Sequence, residues 1–253
     1  ADLPPHGVDS IARACQGTVV AAISPSLTMS LPETISSRQN PRVKNLVKLR
    51  ERSQRLRQER FIVEGIREVG MALQNGYSLE EVYCDETRQD RPVIAALLRQ
   101  AHQTGAQLTL LSQPAFEKVS AREHPDGLLA VAVTPEPVVE QLDLPADPLL
   151  VVVDGVEKPG NIGAIIRTAE AAGATAVIIA SERADIYSPQ VIRNSRGLVF
   201  SLPVLGESPD YLAGWLRRLG LPIVAAEPEA GQTPWEANLS GGVALVMGAE
   251  HEG

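Results

Sequence analysis

Four short, apolar segments in the second half of the chain constrain its fold more than any other feature. They read LLVVVD (149–154), AVIIA (176–180), PIVAA (222–226) and VALVMG (243–248), and we expect helices between them. Strands that are apolar on both faces and alternate with helices are typical of a parallel sheet covered on both sides. Because ligands of such sheets bind beyond the carboxyl ends of the strands, we expect the chemistry in the loops that follow these segments.

The first half of the chain predicts a second, smaller α/β domain. Asn40 and Pro41 are typical of a helix N-cap and first turn, and we expect this helix to continue to Gln58. A strand at FIVEG (61–65) follows, and a helix over 66–74 comes next. Further strands and helices alternate after it, as in a small α/β domain.

A proline-rich stretch divides the two predicted domains. The chain of 253 residues is long enough for two cores. Residues 134–148 contain four prolines and several acidic residues, which is typical of a linker. We therefore expect one domain over 31–133 and another over 149–253. Residues 1–30 lack apolar periodicity and are predicted to be a disordered leader.

Charge is distributed unevenly along the chain. The formal net charge is −8, but the segment 38–67 contains ten Arg or Lys residues and three Glu residues. A local excess of positive charge indicates an anionic partner such as RNA, although a solvated helix face would explain it equally well. The residues that we expect to contact phosphate are Arg42, Arg50, Arg52, Arg55 and Arg57.

Cysteine, histidine and hydropathy patterns exclude several classes of protein. Cys15 and Cys84 cannot form a disulfide framework, which indicates a reducing compartment such as the cytoplasm. The four histidines are scattered along the chain, so we expect no metal site. No apolar segment approaches the ~20 residues that a membrane-spanning helix requires, so we expect no membrane association.

The loop after the first apolar strand contains three glycines and allows three interpretations. A P-loop requires GxxxxGK[ST], but Gly160 is followed by Asn161, so a nucleoside triphosphatase is disfavoured. A dinucleotide-binding fingerprint requires GxGxxG, and Gly155, Gly160 and Gly163 lack that spacing. In the third interpretation the glycines only permit a tight turn and close packing of the helix on the sheet.

Close packing does not explain Arg167, a lone cation in the same helix. It lies about 100° around the helix from Ile166, at the edge of an apolar stripe. Helical side chains lean toward the N-terminus, so its guanidinium would reach the loop and offer a planar set of donors to a phosphate or a developing oxyanion. A surface ion pair with Glu170 is the competing interpretation.

These segments resemble the SpoU (TrmH) family of RNA 2′-O-ribose methyltransferases. GVEKPGNIGAIIRTAEAAGA (155–174) is similar to the first family motif, and VIRNSRGLVFSLPV (191–204) is similar to the segment after it. VMGAEHEG (246–253) is similar to the second motif. Residues 36–65 resemble the opening of a small substrate-binding domain that often precedes the catalytic domain.

The resemblance implies an α/β SPOUT fold, in which a parallel-sheet catalytic domain with a C-terminal trefoil knot follows a small α/β RNA-binding domain. It also implies S-adenosylmethionine as the methyl donor, a homodimer, and a ribose of ribosomal RNA, or else of transfer RNA, as the substrate. The positions that match the catalytic residues of the family are Arg167, Asn161 and Glu250. The positions that match its cofactor-binding residues are Gly248, Ala225 and Ala226.

One departure from the family pattern concerns the third motif, an Ile-Pro-Met strand followed by Ser-Leu-Asn-Val-Ser. The sequence reaches Gly253 before such a motif occurs. Because this motif completes the cofactor pocket and the knot in the family, we expect the parent protein to continue beyond that residue. A second function stays open, that of a non-catalytic RNA-binding protein that kept the fold and lost the cofactor.

Overall fold

A computed structural model describes residues 33–181, 184–227, 230–233 and 235–248 of the chain. These residues belong to one compact unit, which contains two five-stranded sheets. The predicted leader, residues 1–30, lies outside the described residues. Within the described ranges, no helix has the length and apolar character that crossing a membrane requires.

The smaller sheet comes from the first half of the chain. Its elements, with the helices between them, are β1 (Glu33–Ile35), α1 (Pro41–Lys48), α2 (Arg52–Gln58), β2 (Arg60–Glu64), α3 (Ile66–Gln74), β3 (Leu79–Asp85), α4 (Pro92–Gln103), β4 (Gln107–Leu111), α5 (Gln113–Val119) and β5 (Leu128–Val133). The strand order is β1-β4-β3-β5-β2. β1, β4 and β3 are parallel, whereas β5 is antiparallel to both β3 and β2, so this sheet is mixed.

Residues 41–58 form two helices rather than the single helix that the sequence predicted. The start is as expected, since the Asn40 side chain accepts a hydrogen bond from the main-chain N–H of Arg42 at 2.8 Å. The first helix ends at Lys48, and the next residue, Leu49, has a buried side chain. Nη1 of Arg55 donates to the Leu49 carbonyl oxygen at 3.1 Å. An end carbonyl of α1 is thus satisfied by a side chain of α2, which favours the break.

The larger sheet comes from the second half of the chain. Its elements are β6 (Leu149–Val153), α6 (Pro159–Ala171), β7 (Ala176–Ile179), α7 (Pro189–Asn194), β8 (Val204–Gly206), α8 (Pro209–Leu219), β9 (Ile223–Ala226) and β10 (Val243–Met247). The order is β8-β7-β6-β10-β9, and all neighbouring strands are parallel. The predicted parallel sheet is therefore confirmed. The C-terminal trefoil knot stays a prediction.

Helices cover this parallel sheet on both faces. α6 and α7 pack on one face, and α8 packs on the other, where Trp215 and Ile178 belong to one buried cluster. The predicted linker, residues 134–148, also packs on the α8 side. Its one 3₁₀ turn buries Val139, and Leu142 contacts the same cluster. The segment between the sheets is thus part of the core rather than a free tether.

An aromatic cluster joins the two sheets into a continuous core. Phe61 of β2 stacks on Tyr187, which precedes α7, with ring centroids 4.5 Å apart and an interplanar angle of 22°. Tyr77 meets Phe200 edge to face at 4.8 Å. Both pairs cross from the mixed sheet to the parallel-sheet half of the chain. The small domain is therefore docked on the segment that contains α7.

Candidate active site at the carboxyl edge of the parallel sheet

Three strands end side by side at one edge of the parallel sheet. Met247 of β10 lies opposite Val153 of β6 on one side and opposite Ala226 of β9 on the other. The main-chain N–H of Asp154 donates to the Met247 carbonyl oxygen at 2.9 Å. The loops after β6, β9 and β10 therefore leave the sheet at a common edge, where the sequence predicted the chemistry.

The residues that were predicted to bind the cofactor lie at this edge. Ala225 and Ala226 are the last two residues of β9, and Gly248 directly follows β10. All three residues are exposed, and β9 is the last strand of its sheet. With only methyl groups or hydrogen as side chains, these positions leave main-chain donors and acceptors open to a ligand. Their role in cofactor binding stays a prediction.

Helix α6 begins in the loop after β6 and carries two of the predicted catalytic residues. Its buried residues, Ile162 and Ile166 among them, face the core, as the apolar stripe predicted. Asn161 lies in the first turn and is half-buried, and its main-chain N–H donates to the Lys158 carbonyl oxygen at 3.0 Å. Arg167 is exposed at the edge of the stripe.

Arg167 connects α6 to the end of α7. Its Nη1 donates a hydrogen bond to the main-chain carbonyl oxygen of Asn194, the last residue of α7. In the described part of the chain, Arg167 forms no ion pair with Glu170, so the competing surface-pair interpretation is not supported. A guanidinium carries five N–H donors, and this single bond leaves most of them for an anionic ligand.

Gly163 makes this contact possible. A Cβ atom on Gly163 would lie 2.5 Å from Cβ of Asn194, 2.7 Å from its main-chain carbon and 2.9 Å from the nitrogen of Ser195. Such distances are too short for a real side chain, so α6 and α7 pack main chain to main chain. The packing interpretation of the glycine is thus supported at Gly163. Sequence reasoning missed Asn194, because the atom used is a main-chain carbonyl that any residue would offer.

Glu250, the third predicted catalytic residue, lies outside the described residues. The catalytic roles of Glu250, Asn161 and Arg167 stay predictions at this point. Among the residues that the structure describes, no group of three or more His, Cys, Asp or Glu side chains is placed to hold a metal ion.

Several of the predicted phosphate-binding arginines form hydrogen bonds within the protein. Nη2 of Arg42 donates to Oγ1 of Thr109 at 2.8 Å, and its Nε donates to the Tyr83 hydroxyl at 3.1 Å. Burial is the main cause that raises the pKa of Tyr83, so this hydroxyl stays neutral beside the cation. Nη2 of Arg50 donates to the carbonyl oxygen of Lys118 at 3.1 Å.

Arg55 departs furthest from the expected solvent-exposed stripe. It is only 5% exposed and forms an ion pair with Asp185 of the parallel-sheet half. This burial argues against a phosphate contact by Arg55, since its charge is already satisfied inside the protein. Arg52 and Arg57 are exposed, and their contact with RNA stays a prediction. Helical spacing could not show that Arg55 is buried whereas Arg52 and Arg57 are exposed, because its partner Asp185 is 130 residues away in sequence.

Two protein-family models match the chain. Residues 40–130 match the MRM3-like substrate binding domain, and residues 148–253 match the SpoU rRNA Methylase family. A relative from Bacillus subtilis, named 23S rRNA (guanosine(2553)-2′-O)-methyltransferase RlmP, is 31% identical over 220 residues, which are 87% of this chain and 83% of the relative. The chain belongs to the SpoU rRNA methylase family.

Solved structures agree with this SpoU assignment. A crystal structure of an RNA 2′-O ribose methyltransferase is 42% identical with a TM-score of 0.74, over 87% of this chain and 83% of that one. The SpoU methyltransferase AviRb from Streptomyces viridochromogenes, in complex with AdoMet, is 27% identical with a TM-score of 0.75, over 85% of this chain and 83% of that one. The SpoU fold and the preceding substrate-binding domain are thus shown for this chain.

Proposed function

We propose that this SpoU chain transfers the methyl group of S-adenosylmethionine to the 2′-hydroxyl of a ribose in 23S ribosomal RNA. The observation that carries the proposal is the guanidinium of Arg167, which lies on the helix that follows the β6 loop and donates to the Asn194 carbonyl. The names of the relatives support both the reaction and the ribosomal substrate. They also disfavour the alternative of a non-catalytic RNA-binding protein.

The cofactor would lie on the exposed ends of β9 and β10. Ala225, Ala226 and Gly248 would hold it through main-chain groups, because their side chains leave that main chain uncovered. S-adenosylmethionine supplies, when bound, a methyl group on a positively charged sulfur and leaves as a neutral thioether. The contribution of the protein is then to hold the 2′-oxygen in line with that methyl group, while the hydroxyl proton is released to water.

Arg167 would provide the electrostatic part of this catalysis. A guanidinium stays protonated at neutral pH, so it is suited to bind an anion rather than to remove a proton. We assign it to the phosphate next to the target ribose and to the negative charge that develops on the 2′-oxygen. The bond to the Asn194 carbonyl fixes its orientation before the RNA arrives. Asn161 and Glu250 would orient the reacting groups by hydrogen bonding.

The proposal includes a homodimer and a cytoplasmic location. The family resemblance supports the dimer, and Trp235, which is 94% exposed, together with Ile223, which is 48% exposed, offers apolar surface for a second copy. Cys84 is a buried free thiol, which agrees with a reducing compartment. Light scattering coupled to gel filtration measures the mass of the particle and thus tests the dimer.

The reaction is tested by incubating the full protein with labelled S-adenosylmethionine and unmodified 23S ribosomal RNA transcript of Bacillus subtilis. We expect the label at one nucleotide, where the phosphodiester bond becomes resistant to alkaline hydrolysis because the 2′-oxygen is methylated. Label on a base would contradict the proposed acceptor atom. Calorimetry with S-adenosylmethionine alone distinguishes the methyltransferase from a non-catalytic RNA-binding protein, since a protein that does not bind the cofactor would release no heat.

A further inference from the structure

The turn that ends α7 is rigidly held between two helices. Ser195 is fully buried, and its hydroxyl donates to the carbonyl oxygen of Ile192 at 3.0 Å. On one side, Asn194 meets Gly163 of α6 without an intervening side chain. On the other side, a Cβ atom on Gly197 would lie 3.3 Å from Cα of Glu68 in α3. The main chain of this turn therefore has little freedom to move.

Arg196 occupies a position in this turn that favours glycine. The N–H of Gly197 donates to the carbonyl oxygen of Ile192, and the N–H of Arg196 donates to that of Arg193, both at 3.0 Å. This pair of bonds is a Schellman motif, whose left-handed residue is usually glycine. Arg196 adopts that left-handed conformation, with φ of 55°. Strain of this kind at a residue other than glycine often marks a functional site.

The side chains of Arg193 and Arg196 are exposed on both sides of Asn194. Among the described residues, neither forms an ion pair or a side-chain hydrogen bond, unlike Arg42 and Arg55. The dipole of α7 would favour Arg193 in its last turn, but Arg196 lies beyond the helix. Helix electrostatics therefore explains one of the two arginines and leaves the strained one unexplained.

Their location is the junction between the two sheets, next to Arg167. Arg167 donates to the carbonyl of Asn194, the residue that follows Arg193. Arg193 also lines a cavity of about 130 Å³ that separates α7 from Glu64 and Arg122 of the small domain. An RNA strand that contacts both domains near Arg167 would have to pass this turn.

We infer that Arg193 and Arg196 bind phosphates of the RNA strand that carries the target ribose. The inference rests on the proposed function and identifies where this chain holds its RNA substrate. Exposed guanidinium groups on a fixed main chain suit phosphate, because little freedom is lost when they bind. In this arrangement Arg193 and Arg196 position the strand, and Arg167 acts at the reacting nucleotide.

The test compares RNA binding by the Arg193→Ala/Arg196→Ala double variant with that of the wild-type protein. Arg217→Ala is the matched control, because Arg217 is also an exposed arginine near a helix end but lies on α8, which covers the opposite face of the sheet. The probe is 23S ribosomal RNA transcript of Bacillus subtilis, measured by filter binding without cofactor at several salt concentrations.

We expect the double variant to bind at least about ten-fold more weakly than the wild-type protein at moderate salt. Its slope of log affinity against log salt should be smaller by about 1.4 to 1.8, since each lost phosphate contact contributes about 0.7 to 0.9. The loss for Arg217→Ala should be much smaller. Equal affinity of the double variant and the wild-type protein, or equal losses in the double variant and Arg217→Ala, would overturn the inference.

A second pair of variants separates RNA binding from folding. Arg196→Gly and Glu59→Gly each place glycine at a left-handed position, since Glu59 has φ of 53° at the end of α2. Both should melt at a higher temperature than the wild-type protein, because the strain is removed. Only Arg196→Gly should bind the transcript more weakly. If Arg196→Gly kept full RNA affinity, its strained arginine would have no role in RNA binding.

The binding assay and the transfer assay fail independently. If RNA binding depended on Arg193 and Arg196 but the wild-type protein transferred no methyl group, the proposed reaction would be rejected. The inference that these two arginines bind phosphate would stand. If the wild-type protein transferred the methyl group but the double variant kept its RNA affinity, the proposed reaction would stand. The inference about Arg193 and Arg196 would be rejected.

Discussion

Gly163 and Asn194 bring two helices so close that their main chains touch. No side chain separates them, and the Arg167 guanidinium, one helical turn beyond Gly163, reaches the Asn194 carbonyl. Gly163 therefore has a packing role inside α6. It sets the distance over which the proposed catalytic arginine is held.

Gly163→Ala is expected to lower both stability and methyl transfer. The added methyl group would clash with main-chain atoms of Asn194 and Ser195, which cannot rotate away, so α6 and α7 must separate. Overpacking of this kind costs about 1–3 kcal/mol in the free energy of unfolding. Urea unfolding and single-turnover transfer measure the two effects.

Gly214→Ala is the control for that experiment. Gly214 lies inside α8, where a Cβ atom would be 3.6 Å from the end of the Arg218 side chain, an ordinary contact. Alanine there should stabilise the protein by up to about 1 kcal/mol through helix propensity. A Gly163→Ala variant as stable and as active as Gly214→Ala would contradict the close-packing argument.

Arg167→Ala is expected to abolish most methyl transfer while the protein stays folded. Arg167 is exposed, so its removal leaves no cavity, and stability should change by less than about 1 kcal/mol. Loss of one donor to a developing oxyanion typically costs about 10²–10³ in rate. Arg167→Lys should restore little, because an ammonium group lacks the planar set of donors. Single-turnover transfer at saturating RNA and a melting curve check both effects, and near-normal turnover would reject the assigned role.

Arg55→Ala is expected to destabilise the protein, whereas Arg57→Ala should leave stability nearly unchanged. Arg55 is buried and connects the two halves of the chain through Asp185, and it also donates to the carbonyl oxygen of Leu49. Removing one partner of such a buried pair costs about 3–5 kcal/mol when both charges are buried. Asp185 is partly exposed, so we expect about 2 kcal/mol by urea unfolding. Equal stability of the two variants would show that the ion pair of Arg55 with Asp185 adds no stability.

Cys84 is expected to make stability fall at high pH. Burial raises the pKa of its thiol to about 12 from the ordinary value of 9.0. The folded protein therefore keeps the proton where the unfolded chain loses it, so the contribution is complete below pH 9 and is lost as pH rises toward 12. The unfolding free energy should fall by up to about 1.4 kcal/mol per pH unit in that range. Cys84→Ala should show a shallower fall in urea unfolding at pH 9–10.5, and identical slopes would contradict the shift.

Local signals predicted the parts of the fold that local forces control. The helix that was predicted over 66–74 is observed as α3, Ile66–Gln74. Contacts between distant segments were not predictable in this way. The break at Leu49 depends on Arg55, whose partner lies in the other half of the chain. The three loops that were predicted to carry the site do leave the sheet at one edge, but the contact of Arg167 uses the main chain of Asn194, which has no sequence signature.

The stacked pair of Phe61 and Tyr187 has a consequence for how a target nucleotide is selected. The stack fixes the mixed sheet against the segment before α7, so an RNA contact on that sheet would lie at a set distance from Arg167. The target nucleotide would then be selected by its distance from another contact on the folded RNA, without hydrogen bonds to its bases. A chimera with the small domain of a relative would have a different distance between its RNA contacts and Arg167. That distance would stay fixed only if the new domain supplied a ring that stacks on Tyr187.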